Sequence, residues 1–127
     1  MLSGHHFPKR ERLVSQKLID TLFSGSHSVA AFPLRAVYIN KERAREEEPV
    51  QLLISVPKKR FHHAVDRNRV KRQVREAYRQ HKAILSEAIP DNEQVLLALV
   101  WLSDRHSTSA EVQSRVVSLL RRIAEKL

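Results

Sequence analysis

The chain has 127 residues, 42% of them hydrophobic, and no cysteine. This length predicts one domain with its own core, and the lack of cysteine excludes disulfides and thiolate metal sites. No apolar run approaches the roughly 20 residues that cross a membrane, and the first residues lack a secretion signal, so we expect a cytoplasmic protein. The formal net charge of +9 favours a polyanionic partner.

The first half of the chain predicts a helix followed by two strands. Apolar residues at helical spacing, stopped by Gly25, indicate the helix, and strict alternation indicates the second strand. The first strand carries Pro33 near its start. A charged stretch between the strands predicts a hairpin loop or, alternatively, a helix. The expected ranges are a loose arm over residues 1–10, a helix over 11–23, strands over 29–39 and 50–56, and the loop over 41–48.

The second half predicts a long helix from residue 65 or 66 to 83, a strand over 95–102 and a final helix. The strand is apolar on both faces, which is typical of a central strand, and its Trp101 is expected to be core. Thr108 and Glu111 have the spacing of a capping box that starts the last helix. The sequence therefore predicts a single small α+β domain over residues 1–127, in the order α-β-β-α-β-α, with a central mixed sheet packed by helices.

Nearly all the excess positive charge lies in one stretch. Between Lys58 and Lys82 the sequence has ten cations and two anions, whereas the rest has 13 cations and 12 anions. On a helical wheel, one arc is apolar and the next is cationic, so this helix can dock on a sheet and still present its charge. The apolar arc is Val70, Val74, Ala77 and Tyr78. The cationic arc is Arg67, Asn68, Lys71, Arg72, Arg75, Arg79 and Lys82.

A solvated helix face is the alternative to a binding site, but such faces usually mix the two signs. Here Lys71, Arg75 and Arg79 are like charges at four-residue spacing, which costs stability unless an anion offsets it. Arginine predominates, which suits bidentate contacts with phosphate. Asn68 either contacts RNA or caps the start of the helix, and Asp66 is an equally good cap.

The nine residues 67–75, RNRVKRQVR, resemble the RNR motif of the bacterial ribonuclease P protein family. Residues 53–59 are similar to the strand and lysine pair that precede the motif, and residues 7–13 resemble the family's approach to its first helix. The chain departs from the family at residues 60–63, where a glycine is common, and at Ile19, where many relatives carry phenylalanine.

The resemblance implies the protein subunit of an endoribonuclease in which a catalytic RNA removes the 5′ leader of precursor tRNA. The basic helix would face that RNA, a cleft between the first helix and the sheet would hold the leader, and Mg²⁺ would be held mainly by RNA. A left-handed βαβ crossover and no requirement for a protein partner are also implied. The implied RNA-binding residues are Lys58, Lys59, Arg60, Arg67, Asn68, Arg69, Lys71, Arg72, Arg75 and Arg79. The leader-cleft candidates are Phe23 and Tyr38, with core packing as the alternative for both.

The residues themselves indicate a binding module and no protein-borne catalysis. The adjacent pairs His5-His6 and His62-His63 lack the spacing of a metal site. A generic RNA-binding or ribosomal-type protein is one competing interpretation. A DNA-binding regulator with residues 67–82 as recognition helix is another, although strands directly upstream argue against helix-turn-helix.

Overall fold

The computed structural model describes residues 7–25, 27–44 and 46–127. In chain order they form a 3-10 turn (Lys9–Glu11), α1 (Gln16–Ser24), β1 (His27–Ala31), β2 (Leu34–Glu42), β3 (Val50–Ser55), α2 (Ala64–His81), α3 (Ala83–Ser86), β4 (Glu93–Trp101) and α4 (Ser109–Ala124). The predicted α+β class is confirmed. The predicted order is wrong in two details. The structure has one more strand before β3, and it has the short helix α3 after α2.

The four strands form one mixed sheet in the order β1-β2-β4-β3. The apolar β4 is central, antiparallel to β2 and parallel to β3. Because β3 and β4 are parallel neighbours, α2 is the crossover between them. The left hand of this crossover stays an expectation of the resemblance.

The predicted strand over residues 29–39 is two strands. A two-residue turn at Phe32-Pro33 folds β1 back on β2, with Ala31 opposite Leu34. Proline has no N–H to donate in a β-ladder and favours turns. Pro33, expected near the start of one strand, therefore lies in the turn between two strands. In the predicted loop, β2 continues to Glu42, and the described residues that follow form turns and no helix.

The first helix begins later than predicted, because Ser15 caps it and accepts a hydrogen bond from Leu18 N. The preceding segment runs beside the edge strand β3, where Leu13 N donates to Leu52 O at 2.8 Å. Residues 1–6 of the predicted arm lie outside the described residues. Residues 7–10 contact the domain, and Phe7 packs edge-on against Tyr78 with ring centroids 5.8 Å apart.

The helices divide between the two faces of the sheet. The α2 and α4 helices cover one face, and their apolar residues form the larger core with Trp101, which is fully buried as expected. On the other face α1 packs through Leu22 against Val37 and Ala98. The Thr108–Glu111 capping box at the start of α4 is confirmed. Within the described residues no helix is both long and apolar enough to cross a bilayer.

Candidate nucleic-acid interface

The apolar arc predicted for α2 fixes the direction of its charged face. All four residues of that arc are buried against the sheet and α4. Since side chains about 100° apart on a helix leave in different directions, burial of this arc turns the adjoining cations toward solvent. The apolar arc therefore packs α2 against the domain, and the packing does not depend on the adjoining cations.

Six of the predicted RNA-binding cations have no internal partner among the described residues. Within the part of the chain that the structure describes, their side chains form no hydrogen bond or ion pair. Lys71 is half-buried and the other five are exposed. Unpaired charges at this density repel one another and favour a bound anion. The six are Lys58, Lys59, Arg69, Lys71, Arg72 and Arg75.

Three further predicted cations make internal contacts. Arg67 Nη1 donates to the carbonyl oxygens of Phe61 and His62 at 2.8 and 2.9 Å, so this side chain secures the loop before α2. Arg60 Nη1 lies 3.4 Å from Asp104 Oδ1.

Arg79, the third, pairs with Glu76 on the same helix. Its Nη2 lies 2.6 Å from Glu76 Oε2. The hydrogen bond to this carboxylate raises the pKa of the Arg79 guanidinium above its usual value. Arg79 stays charged, but Glu76 places a negative charge at the edge of the cationic face.

Neither residue proposed as a cap of α2 caps it. The helix begins one turn earlier than those residues, with His63 at the N-cap and no side-chain capping bond. Asp66 lies in the first turn and contacts His106, whose Nε2 is 3.0 Å from Asp66 Oδ1. Asn68 is exposed within the helix, so of its two predicted roles only contact with a partner remains.

Arg12 is a cation that the sequence analysis missed. Its guanidinium lies over the Phe7 ring, 5.6 Å from the centroid. A depression of about 460 Å³ is lined by both residues and by side chains of the charged face of α2. The available signal was the group of three cations among residues 9–12, but only the tertiary fold brings that segment beside α2. We use the term basic surface for the following set of cations: Arg12, Lys58, Lys59, Arg69, Lys71, Arg72, Arg75 and Arg79.

The two leader-cleft candidates have different environments. Phe23 lies on α1 and is 48% exposed, so core packing does not account for it. Tyr38 is only 4% exposed and belongs to the core on the α2 and α4 face. The proposed cleft lies between α1 and the other face of the sheet. Tyr38 therefore cannot line it, and its prediction as a leader contact is wrong. Side chains alternate along a strand, and Tyr38 has the opposite parity to Val37, which does face α1.

The sheet face beside α1 is partly open at one end. The cross-strand row of Arg35, Val100 and Ser55 faces this side, and the three residues are exposed or half-buried. Pro57 and Lys58 follow β3 at the same end of the sheet. The open row therefore leads toward the lysine pair of the basic surface.

Possible metal ligands do not gather among the described residues, where no three His, Cys, Asp or Glu side chains form a cluster that could hold an ion. The cations of the basic surface instead suit phosphate oxygens, and guanidinium groups can bind these in a bidentate manner. The chemistry available to this surface is therefore electrostatic binding of an anion.

Comparisons with known proteins show the family to which the chain belongs. A family model described as Ribonuclease P matches residues 7–124. The ribonuclease P protein component of Porphyromonas gingivalis is 38% identical over 120 residues, which cover 91% of this chain and 85% of that protein. The component from Chlorobaculum tepidum is 35% identical over 102 residues, which cover 74% of this chain and 66% of that protein.

Solved structures share the fold. A Staphylococcus aureus RNase P protein, a mutant with defective mRNA degradation activity, has a TM-score of 0.71 at 25% identity and covers 92% of this chain and 90% of that one. The RNase P protein from Thermotoga maritima has a TM-score of 0.62 at 21% identity, with coverage of 87% and 96%, a likeness of fold alone. The chain therefore belongs to the ribonuclease P protein family, the protein component of an endoribonuclease that acts in tRNA 5′ processing.

Proposed function

We propose that this chain binds the catalytic RNA of ribonuclease P through the basic surface. The observation that carries the proposal is a set of six cations that have no partner among the described residues, four of them on α2 and two in the loop before it. In a folded RNA, phosphates that lie close together repel one another, and the cationic side chains of a bound protein reduce that repulsion. Bound there, the protein stabilises the folded RNA and leaves the cleavage step to it.

The proposal assigns Mg²⁺ to the RNA and electrostatic support to the protein. Lysine and arginine carry no lone pair for a metal, so the basic surface and Mg²⁺ act on the same phosphates by different means. A protein that neutralises some phosphates lowers the concentration of Mg²⁺ needed for the same fold. The proposal includes a complex that needs no further protein partner, as the resemblance implies, and a cytoplasmic location for it.

Reconstitution tests the proposal directly. A bacterial ribonuclease P RNA is assayed for cleavage of precursor tRNA across a range of Mg²⁺ concentrations, with and without the protein. We expect the protein to increase the cleavage rate most at low Mg²⁺. No increase at any Mg²⁺ concentration, with properly folded RNA, would contradict it.

The salt dependence of binding tests which face is used. We expect Arg72→Ala with Arg75→Ala to lower the slope of log affinity against log salt by about 1.4–1.8, because each lost phosphate contact removes about 0.7–0.9. Arg121→Ala with Lys126→Ala removes the same charge from the end of α4 and the residues that follow it, where both side chains are exposed, and should leave the slope unchanged. An equal effect of the two pairs would mean that net charge, and not this face, controls binding.

We also propose that the 5′ leader lies on the open part of the sheet face beside α1. Three observations support this: the exposed ring of Phe23, the exposed cation Arg35 on that face, and the path from the open row to Lys58. Unpaired bases stack on aromatic rings while cations follow the backbone. Phe23 is the stacking residue in this proposal, and Tyr38 has no part in it.

A further inference from the structure

His106, in the loop after β4, attaches this loop to the start of α2. The His106 ring stacks on the Phe61 ring, with centroids 4.6 Å apart and planes inclined by 17°. Its Nε2 donates to Asp66 Oδ1 at 3.0 Å. One side chain thus contacts both the loop between β3 and α2 and the first turn of α2.

Other contacts join the same two segments. Gln73 Nε2 donates to Ser107 O at 3.0 Å, and Arg60 Nη1 lies 3.4 Å from Asp104 Oδ1. Together they attach the loop after β4 along one side of α2 and to the segment that follows β3.

Through Phe61 the histidine reaches the binding motif. The Phe61 carbonyl oxygen accepts a hydrogen bond from Arg67 Nη1. Lys58 and Lys59 lie in the same loop, a few residues before Phe61. The position of this loop, and with it the two lysines, therefore depends on what holds the Phe61 ring.

The contacts of the His106 ring suit a structural role and leave no ring nitrogen available to RNA. One nitrogen is used by Asp66, and Nδ1 is buried without a hydrogen-bond partner among the described residues. One face of the ring is covered by Phe61. A phosphate could not reach a ring nitrogen without displacing these contacts.

We propose that His106 is a positioning residue for the basic surface, holding the Phe61 loop and the first turn of α2 so that Lys58 and Lys59 are preset for RNA. The proposal rests on the proposed function. The physical reason is preorganisation, because a loop that is ordered before binding loses less conformational entropy on binding. His106 acts through Phe61 and Asp66 and makes no contact with RNA.

The test measures RNA affinity and its salt dependence together. His106→Ala removes the stacking contact and the hydrogen bond, and we expect about three- to tenfold weaker binding to ribonuclease P RNA. The slope of log affinity against log salt should stay unchanged, because the number of phosphate contacts is the same. Lys58→Ala, by contrast, should lower the slope by about 0.7–0.9.

Graded and matched variants separate positioning from loss of fold. His106→Phe keeps the stacked ring and loses only the hydrogen bond, so its affinity should lie between those of the wild type and His106→Ala. His27→Ala is the control, because His27 also contacts an aromatic ring, that of Tyr38 at 5.5 Å, but lies on β1 at the opposite edge of the sheet from β3. Its affinity should equal that of the wild type. Fluorescence of Trp101, the chain's single tryptophan and a buried one, reports whether each variant is folded.

Two results would overturn the proposal. Unchanged RNA affinity in folded His106→Ala would show that the loop needs no such support, and a lowered salt slope would show that His106 itself contacts phosphate. A double-mutant cycle of His106→Ala and Asp66→Ala compares free energies of unfolding, measured by denaturation without RNA. It gives the coupling between the two side chains independently of RNA binding. Additive effects would deny the link to Asp66, whereas failure of the wild type to bind RNA would deny the proposed function instead.

Discussion

Glu76 is the residue that limits the basic surface. It is the anion that pairs with Arg79, and it lines the same depression as Arg12, Arg72 and Arg75. A phosphate entering that depression meets four guanidinium groups and one opposing carboxylate. Glu76 therefore protects the free protein from repulsion among its arginines while weakening its attraction for RNA.

We predict that Glu76→Gln tightens binding to ribonuclease P RNA about threefold, because like charges across an interface oppose association. Glutamine keeps a hydrogen-bonding side chain and the helix propensity of that position. Affinity is measured by filter binding at several salt concentrations. Glu125→Gln removes the same charge from the end of α4 and should change nothing. Weaker binding of Glu76→Gln would mean that the pair with Arg79 sets the geometry of the site.

The residues that the sequence identified well are those whose role depends on local spacing. The apolar arc of α2 and most of its cationic arc follow from the helical period alone. Lys82, predicted in the cationic arc, instead pairs with Glu11 at 2.9 Å and is largely buried. For Tyr38 the sequence left leader contact and core packing open, and for Asp66 it suggested a cap that is wrong, because the surroundings of both residues are non-local. The side of the sheet that Tyr38 faces depends on strand register, and the partner of Asp66 is His106, 40 positions away in the chain.

At the scale of elements, the first turn of α4 is fixed by reciprocal bonds. Glu111 N donates to Thr108 Oγ1 at 3.1 Å, and Thr108 N donates to Glu111 Oε1 at 3.2 Å. The bonds satisfy N–H groups that a helix start leaves without partners. They also hold the end of the loop that carries His106.

We predict that Thr108→Ala lowers the free energy of unfolding by about 1 kcal/mol, the usual cost of losing such a cap. Thr108→Ser keeps the hydroxyl and should lose much less. Urea denaturation followed by Trp101 fluorescence gives both values. Equal losses in the two variants would show that the threonine methyl group, and not the capping bond, stabilises this end of α4.

Element boundaries were predictable where a residue acts locally and not where another element decides. Gly25 ends α1 as expected. The start of α1 is later than the apolar pattern suggests, because the edge of β3 draws Leu13 into an extended pairing. The hairpin at Pro33 was missed because β1 and β2 together look like one long apolar strand.

At the scale of the molecule, the sheet separates two surfaces. The α2 helix packs on one face and α1 on the other. The proposed contacts with the catalytic RNA and with the leader therefore use different sides of one sheet, which meet at the end where Lys58 follows β3. Changes to one surface should leave binding at the other intact.

Two sets of substitutions test this separation. We predict that Phe23→Ala weakens binding of precursor tRNA to the reconstituted holoenzyme at least about fivefold, because a stacked base contributes about 1–3 kcal/mol. It should change neither the binding of tRNA without a leader nor the affinity for the catalytic RNA. Arg72→Ala with Arg75→Ala should do the reverse, weakening assembly with the RNA while an assembled complex keeps its preference for a leader. If Phe23→Ala weakened both substrates equally, the ring would be supporting the fold and the leader would lie elsewhere, since only a direct contact can depend on the leader's presence.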